Sequence, residues 1–179
     1  MQMDNIKPKD YKKNAQLIHS QHNVNQAITE MAAQLNADYA SEPPVVLCVM
    51  GGGVYFTGQL LPQLDFLLEF DYIHATRYHG IDGSAVEWLV KPKKSIHQRN
   101  VLILDDILDE GITLKVIVDE CEKLGAKNIK IAVLAEKKLE IHKPIHADYV
   151  GLMVPNLYVF GCGMDVYGWW RNLPAIYAL

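Results

Sequence analysis

The densest group of reactive side chains is Asp105-Asp106-Ile107-Leu108-Asp109-Glu110-Gly111-Ile112-Thr113, directly after the apolar run Val101-Leu102-Ile103-Leu104. Adjacent carboxylates at the end of an apolar strand offer hard oxygen acceptors, suited to ribose hydroxyls or to a magnesium shell. The glycine and threonine that follow would open a helix. Its first turn leaves backbone N–H groups unpaired, so a phosphate could sit on those amides with the Thr113 hydroxyl as a further donor. A plainer reading of the same residues makes Asp109 a helix cap and the acidic pair a solvated turn. Two other nucleotide motifs fail: Gly-x-x-x-x-Gly-Lys-Ser/Thr is absent, and Gly51-Gly52-Gly53 has Phe56 where a dinucleotide fingerprint needs its third glycine. Zinc is not expected, because Pro144 disfavours a helix that would align His142 with His146, while His19 and His22 fall on a polar helix surface.

These residues need strands and helices to place them. From Asp10 to Ala40 the positions Val24, Ile28, Met31 and Leu35 recur at helical spacing, so this leading segment reads as helical until Pro43 and Pro44 stop it. The short apolar block Val45 to Met50 reads as a buried strand, Val54 to Leu61 as a helix and Phe66 to Ala75 as extended. His79 to Ala85, with two glycines and no periodicity, reads as a mobile loop. Val101 to Leu104 is then a strand, Leu114, Ile117, Val118, Cys121 and Leu124 a helical stripe ended at Gly125, and Asn128 to Leu134 a further strand. Strand, helix and strand in so short a stretch form a parallel crossover, and uninterrupted apolar strands need both faces covered, so the fold class expected is a three-layer α/β domain with a central parallel sheet. Ligands of such sheets bind beyond the carboxyl ends of the strands, where both glycine turns fall.

Composition agrees with an ordinary globular chain. The 179 residues are 50% hydrophobic with a net charge of −4, which suits one compact domain spanning residues 1–179. Three cysteines without close spacing form no disulfide framework and suit a reduced, cytoplasmic compartment. The polar stretch Met1 to Asp10 has no apolar signal region, no apolar run approaches a membrane span, and no dense basic run suggests nucleic acid.

Val101 to Leu114, VLILDDILDEGITL, resembles the PRPP-binding motif of type I phosphoribosyltransferases. The likeness extends from about Val45 to Leu173. Met50 to Gly53 looks like the pyrophosphate loop, and Lys137, Tyr158-Val159, Asp165 and Arg171 follow in the order found in hypoxanthine-guanine phosphoribosyltransferases. The resemblance implies a core over 45–150, with an N-terminal helical segment over 1–40 and with 151–179 contributing to a small hood formed by the terminal segments. It also implies Mg-dependent transfer of phosphoribosyl from PRPP to hypoxanthine or guanine, giving IMP or GMP and pyrophosphate, by a homodimer or homotetramer in the cytoplasm. A regulator that binds PRPP or a nucleotide on the same fold is the alternative. Such a protein could dispense with Asp109 or Lys137, and both are present.

By the same resemblance, Asp105 and Asp106 hold the ribose hydroxyls, and the segment Asp109, Glu110, Gly111, Ile112 and Thr113 cradles the 5-phosphate. Gly51 and Gly52 face the pyrophosphate, Tyr78 belongs to an active-site lid from about Arg77 to Trp88, and Arg171 contacts pyrophosphate. Asp109 is implied as the general base. Lys137 is implied as the donor to the six-position carbonyl of the purine and Tyr158 as its stacking partner, with Ile107, the Val159 backbone and Asp165 beside the base. Asp105, Asp106 and Asp165 are implied near magnesium. The chain departs from the family at Gly51, where several relatives carry lysine; at Glu110, where small hydroxyl residues are common and the side chain is expected to face solvent; and at Arg77-Tyr78, where Ser-Tyr is usual.

Overall fold

The computed structural model describes residues 7–80 and 83–179, with side chains omitted at 76–80 and 83–86. Helix α1 (Pro8–Asn14) and strand β1 (Gln16–His19) lead into helix α2 (Gln21–Asp38). Strand β2 (Val45–Met50) runs into α3 (Gly53–Leu60), and β3 (Glu69–Gly80) turns back as β4 (Gly83–Val90). Strand β5 (Asn100–Leu108), helix α4 (Ile112–Lys123) and strand β6 (Asn128–Lys137) make the crossover, followed by β7 (Tyr149–Val154), β8 (Val159–Phe160) and β9 (Ile176–Ala178).

The main sheet has the order β4-β3-β2-β5-β6-β7. All neighbours are parallel except β4, which is antiparallel to β3 at the edge. Residues alternate between two cores, as the period of a strand requires. Val46, Leu102, Leu104, Ala132 and Leu134 pack with the apolar face of α2 and with Phe56 and Leu60 of α3. Val45, Leu47, Val101, Ile103, Ile131 and Val133 pack with Leu114, Ile117, Val118 and Cys121 of α4. Covering both faces is what lets β2 and β5 be apolar almost throughout. A second sheet, β1-β9-β8, joins the two ends of the chain as a hood, and Val159, Met164, Ile176 and Ala178 tie it to the α2 and α3 side of the core.

Two expectations are corrected. The leading segment is not continuously helical: β1 breaks it and pairs with β9 at the far end of the chain, Leu17 opposite Tyr177. A four-residue strand stabilised by so distant a partner leaves no local periodicity to read. The supposed loop from His79 to Ala85 is instead largely the end of a hairpin, with His79 paired to Ser84 and Gly80 to Gly83. Residues 81–82 and the side chain of Tyr78 lie outside the described residues. No described helix is long and apolar enough to cross a membrane.

Candidate active site

The period-two rule decides where the acidic pair points. Asp106 continues the face of Leu102 and Leu104, toward the hood, and Asp105 continues the face of Val101 and Ile103. Both are buried, at 8% exposure each, and Asp105 Oδ1 accepts from the Asp106 backbone N–H at 2.9 Å. Burial raises the pKa of both carboxyls, Asp105 well above its ordinary value, with the Asp106 charge adding to the rise at Asp105. At Asp106 the positive charge of Arg171 works against the rise. The pyrophosphate-loop candidate approaches closely: a β-carbon on Gly52 would stand 1.9 Å from Asp106 Oδ2. Glycine there is dictated by contact. Gly51, whose peptide with Met50 is cis, faces open space.

Beyond Asp106 a cavity of about 280 Å³ opens between the sheet and the hood. Ile107 and Asp109 come from the end of β5, Lys137 from the end of β6, Tyr158 and Val159 from the start of the hood, and Asp165 from the turn that follows. Met164 also lines it. Nothing in its sequence neighbourhood except adjacency to Asp165 could have singled it out.

Lys137 Nζ donates to Asp109 Oδ2 at 2.6 Å. Asp109 is therefore no helix cap: Gly111 stands at the cap position of α4 with φ +83° and no side-chain cap, a conformation that favours glycine. The amides of Ile112 and Thr113 open the helix without intrahelical acceptors, which leaves that end suited to an anion. Glu110 is exposed.

On the hood side, Asp165 is engaged from two directions, by Arg171 Nη2 at 2.6 Å and by the Gly168 backbone N–H at 2.7 Å. Arg171 also donates to the Gly163 carbonyl at 2.7 Å. Lys12 Nζ lies over the Trp170 ring, 5.9 Å from its centroid. Tyr158 stacks on Tyr167, with ring centroids 5.5 Å apart, and Tyr167 in turn touches Tyr11 of α1. No spacing in the sequence links Tyr158 to Tyr167 or Tyr11, so this aromatic backing is a product of the fold.

Among the described residues no group of three or more His, Cys, Asp or Glu side chains is disposed to hold a metal ion. Asp165 is held by Arg171 and Gly168, and of the acidic pair Asp106 lines the cavity. The donor chemistry nonetheless fits a hard cation whose remaining ligands are substrate oxygens, since two buried carboxylates pushed toward protonation gain most from an added positive charge. The rings of His142 and His146 meet edge-on at 6.3 Å and belong to no such cluster.

A doubly covered parallel sheet with an acidic strand end, an uncapped helix start and a hooded cavity is the arrangement of a phosphoribosyl transferase, and residues 14–167 match the family described as the phosphoribosyl transferase domain; the chain belongs to that family. Within the family its likeness is to the hypoxanthine-guanine type. It is 35% identical over 164 residues to the hypoxanthine-guanine-xanthine phosphoribosyltransferase of Tritrichomonas foetus, covering 89% of this chain and 88% of that protein. It is 34% identical over 161 residues to the hypoxanthine-guanine phosphoribosyltransferase of Streptococcus pneumoniae strain R6, covering 88% of each. The solved structure of a hypoxanthine phosphoribosyltransferase from Staphylococcus aureus superposes with a TM-score of 0.88 at 29% identity, covering 99% of this chain and 96% of that one.

Proposed function

We propose that the protein transfers the phosphoribosyl group of PRPP to hypoxanthine or guanine, releasing pyrophosphate and giving IMP or GMP, as a step of purine salvage in the cytoplasm. The observation that carries this reading is the Lys137–Asp109 pair at the cavity between β5, β6 and the hood. Lys137 carries only donors, so it pairs with a six-position carbonyl and not with an amino group. Asp109 can accept the ring proton of the purine as the N-glycosidic bond forms. Tyr158 offers a ring face for stacking, and Val159, the first residue of β8, offers backbone polar groups to the edge of the base.

On this reading the ribose hydroxyls meet the Asp105–Asp106 pair, the 5-phosphate takes the amides from Asp109 to Thr113, and the pyrophosphate approaches Gly51, Gly52 and Arg171. Asp105 and Asp106 would hold Mg2+ together with substrate oxygens, and a bound magnesium ion would neutralise charge on departing pyrophosphate. The work of the chain itself is positioning, charge complementarity and exclusion of water from the hooded cavity. The test is an absorbance assay with purified protein, PRPP and magnesium, offering hypoxanthine, guanine, xanthine and adenine in turn, with and without excess chelator. Product with the first two bases, abolished by chelator, is the expected result. PRPP binding without turnover on any base would move the protein to a sensing role.

A further inference from the structure

Lys143 stands in the polar run Ile141 to His146 between β6 and β7, where a lysine is ordinarily solvated. Yet it is buried, at 7% exposure. Its ammonium has three donors, and three acceptors surround it: the carbonyl of Lys137 at 2.7 Å, Glu136 Oε1 at 3.0 Å and the carbonyl of Leu108 at 3.3 Å. A lysine rarely leaves water without such compensation.

The acceptors are informative by position. Leu108 and Glu136 form the last register pair of the β5–β6 ladder. Past that pair β5 ends, and the next residues are Asp109 and Lys137, whose side chains meet at 2.6 Å. Lys143 therefore bridges the two chain ends just where sheet hydrogen bonding no longer does so. One bond holds the carbonyl that precedes the Asp109 amide, and the other holds the carbonyl of Lys137 itself. On its far side Lys137 is fixed by β7, in register with Val154. The segment that carries Lys143 also supports the phosphate loop, since Ile145 Cγ2 stands 3.0 Å and Pro144 Cδ 3.6 Å from where a β-carbon on Gly111 would be.

We infer that Lys143 is a positioning residue for the purine site: by clamping the backbone at Leu108 and Lys137 it sets the separation of the Asp109 carboxylate and the Lys137 ammonium, and so the fit of the base between them. The inference rests on the reading of Lys137 and Asp109 as the groups that meet the purine. Small displacements of such groups weaken binding steeply, a misplacement near one ångström costing up to about a hundredfold.

The experiment compares Lys143→Met, Lys143→Gln and Lys137→Gln in the full chain, measuring kcat and KM for hypoxanthine at saturating PRPP and magnesium, with thermal unfolding recorded alongside. A positioning role raises the KM for hypoxanthine roughly tenfold or more in Lys143→Met, because the base site itself has changed. A purely structural role lowers the active fraction, and hence apparent kcat, at unchanged KM. Folded Lys143→Met with a hypoxanthine KM within about twofold of wild type overturns the proposal. Should the Met variant not fold, Lys143→Gln decides by the same criterion, since its neutral and shorter side chain cannot span both carbonyls. If Lys137→Gln raises the KM while the Lys143 variants do not, the clamp fails and the base-site reading stands. If Lys137→Gln itself leaves the KM unmoved, the base-site reading fails and the clamp with it.

Discussion

Lys137 and Asp109 neutralise each other in the free protein, Nζ to Oδ2 at 2.6 Å, but they do so unequally: the lysine side chain is 13% exposed and the aspartate 47%. The ammonium depends on the carboxylate more than the reverse, because water can still reach Asp109. On the proposed reading an incoming purine must therefore offer Lys137 an acceptor as it draws near, and a six-position carbonyl does.

Replacing Asp109 by asparagine separates its pairing with Lys137 from the proton-accepting role proposed for it. The amide preserves shape and still accepts from Lys137 through its oxygen, but cannot take a proton. Turnover should fall by about a hundredfold to ten-thousandfold, the usual worth of a general base, while the dissociation constant for PRPP changes far less. Unfolding should shift by only about 1 kcal/mol, given the exposure of Asp109. Steady-state kinetics beside calorimetric titration with PRPP checks both; unchanged turnover with weakened PRPP binding would assign Asp109 to the phosphate seat alone.

The buried acidic pair makes a prediction about pH. Burial and the neighbouring charge raise the Asp105 carboxyl well above its ordinary 3.8 in the folded chain, so the folded state binds a proton that the unfolded state releases between those values. Stability from this group is greatest below the ordinary value and is lost as pH rises through the raised one. Asp105→Asn should accordingly melt higher than wild type at neutral pH without ligands, by on the order of a few degrees, with the gap closing toward pH ~4. Magnesium with PRPP should raise the wild-type melting point and leave the variant nearly unmoved. A variant that melts lower at every pH would show that Asp105 stabilises the free fold.

What could be read before the structure follows from how locally each feature is encoded. The sequence from Val101 to Gly125 is one continuous strand, loop and helix, and its apolar spacing, acidic pair and closing glycine all point the same way. The site was legible only in pieces: Asp106, Lys137, Tyr158 and Asp165 come from separate elements, and their order in the family suggested a convergence that the cavity displays. Strand β1 escaped because its partner lies at the other end of the chain. Lys143 escaped because a lysine in a polar segment reads as solvated, and its burial depends on carbonyls at two strand ends.

Gly52 gives a steric test of the loop over Asp106. A methyl group there would fall 1.9 Å from Oδ2, so Gly52→Ala must push either the carboxylate or the loop aside. Overpacking of this kind costs about 1–3 kcal/mol, and on the proposed reading the displaced group belongs to the ribose site. The variant should fold with a lowered melting point and bind PRPP at least about tenfold more weakly. Gly51→Ala, at a position open to space, should retain the wild-type melting point. Equal behaviour of the two variants would contradict the close approach.

Base choice is the most discriminating consequence of the Lys137 position. With the side chain 13% exposed and lining the cavity, adenine would set its amino group, a donor, against an ammonium that has only donors. Water cannot easily restore the lost pairing at that exposure. Sites that read one polar group in this way reject the analogue lacking it by ~10⁴-fold or more, so adenine should be a negligible substrate while hypoxanthine and guanine both react. Lys137→Gln exchanges the ammonium for an amide that can donate or accept. It should weaken use of hypoxanthine and narrow the gap to adenine, measured as the ratio of kcat/KM for the two bases. Because Asp109 then loses its cationic partner but stays half exposed, the fold should tolerate the change with a shift of about 1 kcal/mol. Wild-type rates with adenine near those with hypoxanthine would remove Lys137 from the recognition of the base, and the cavity would need another group to choose its purine.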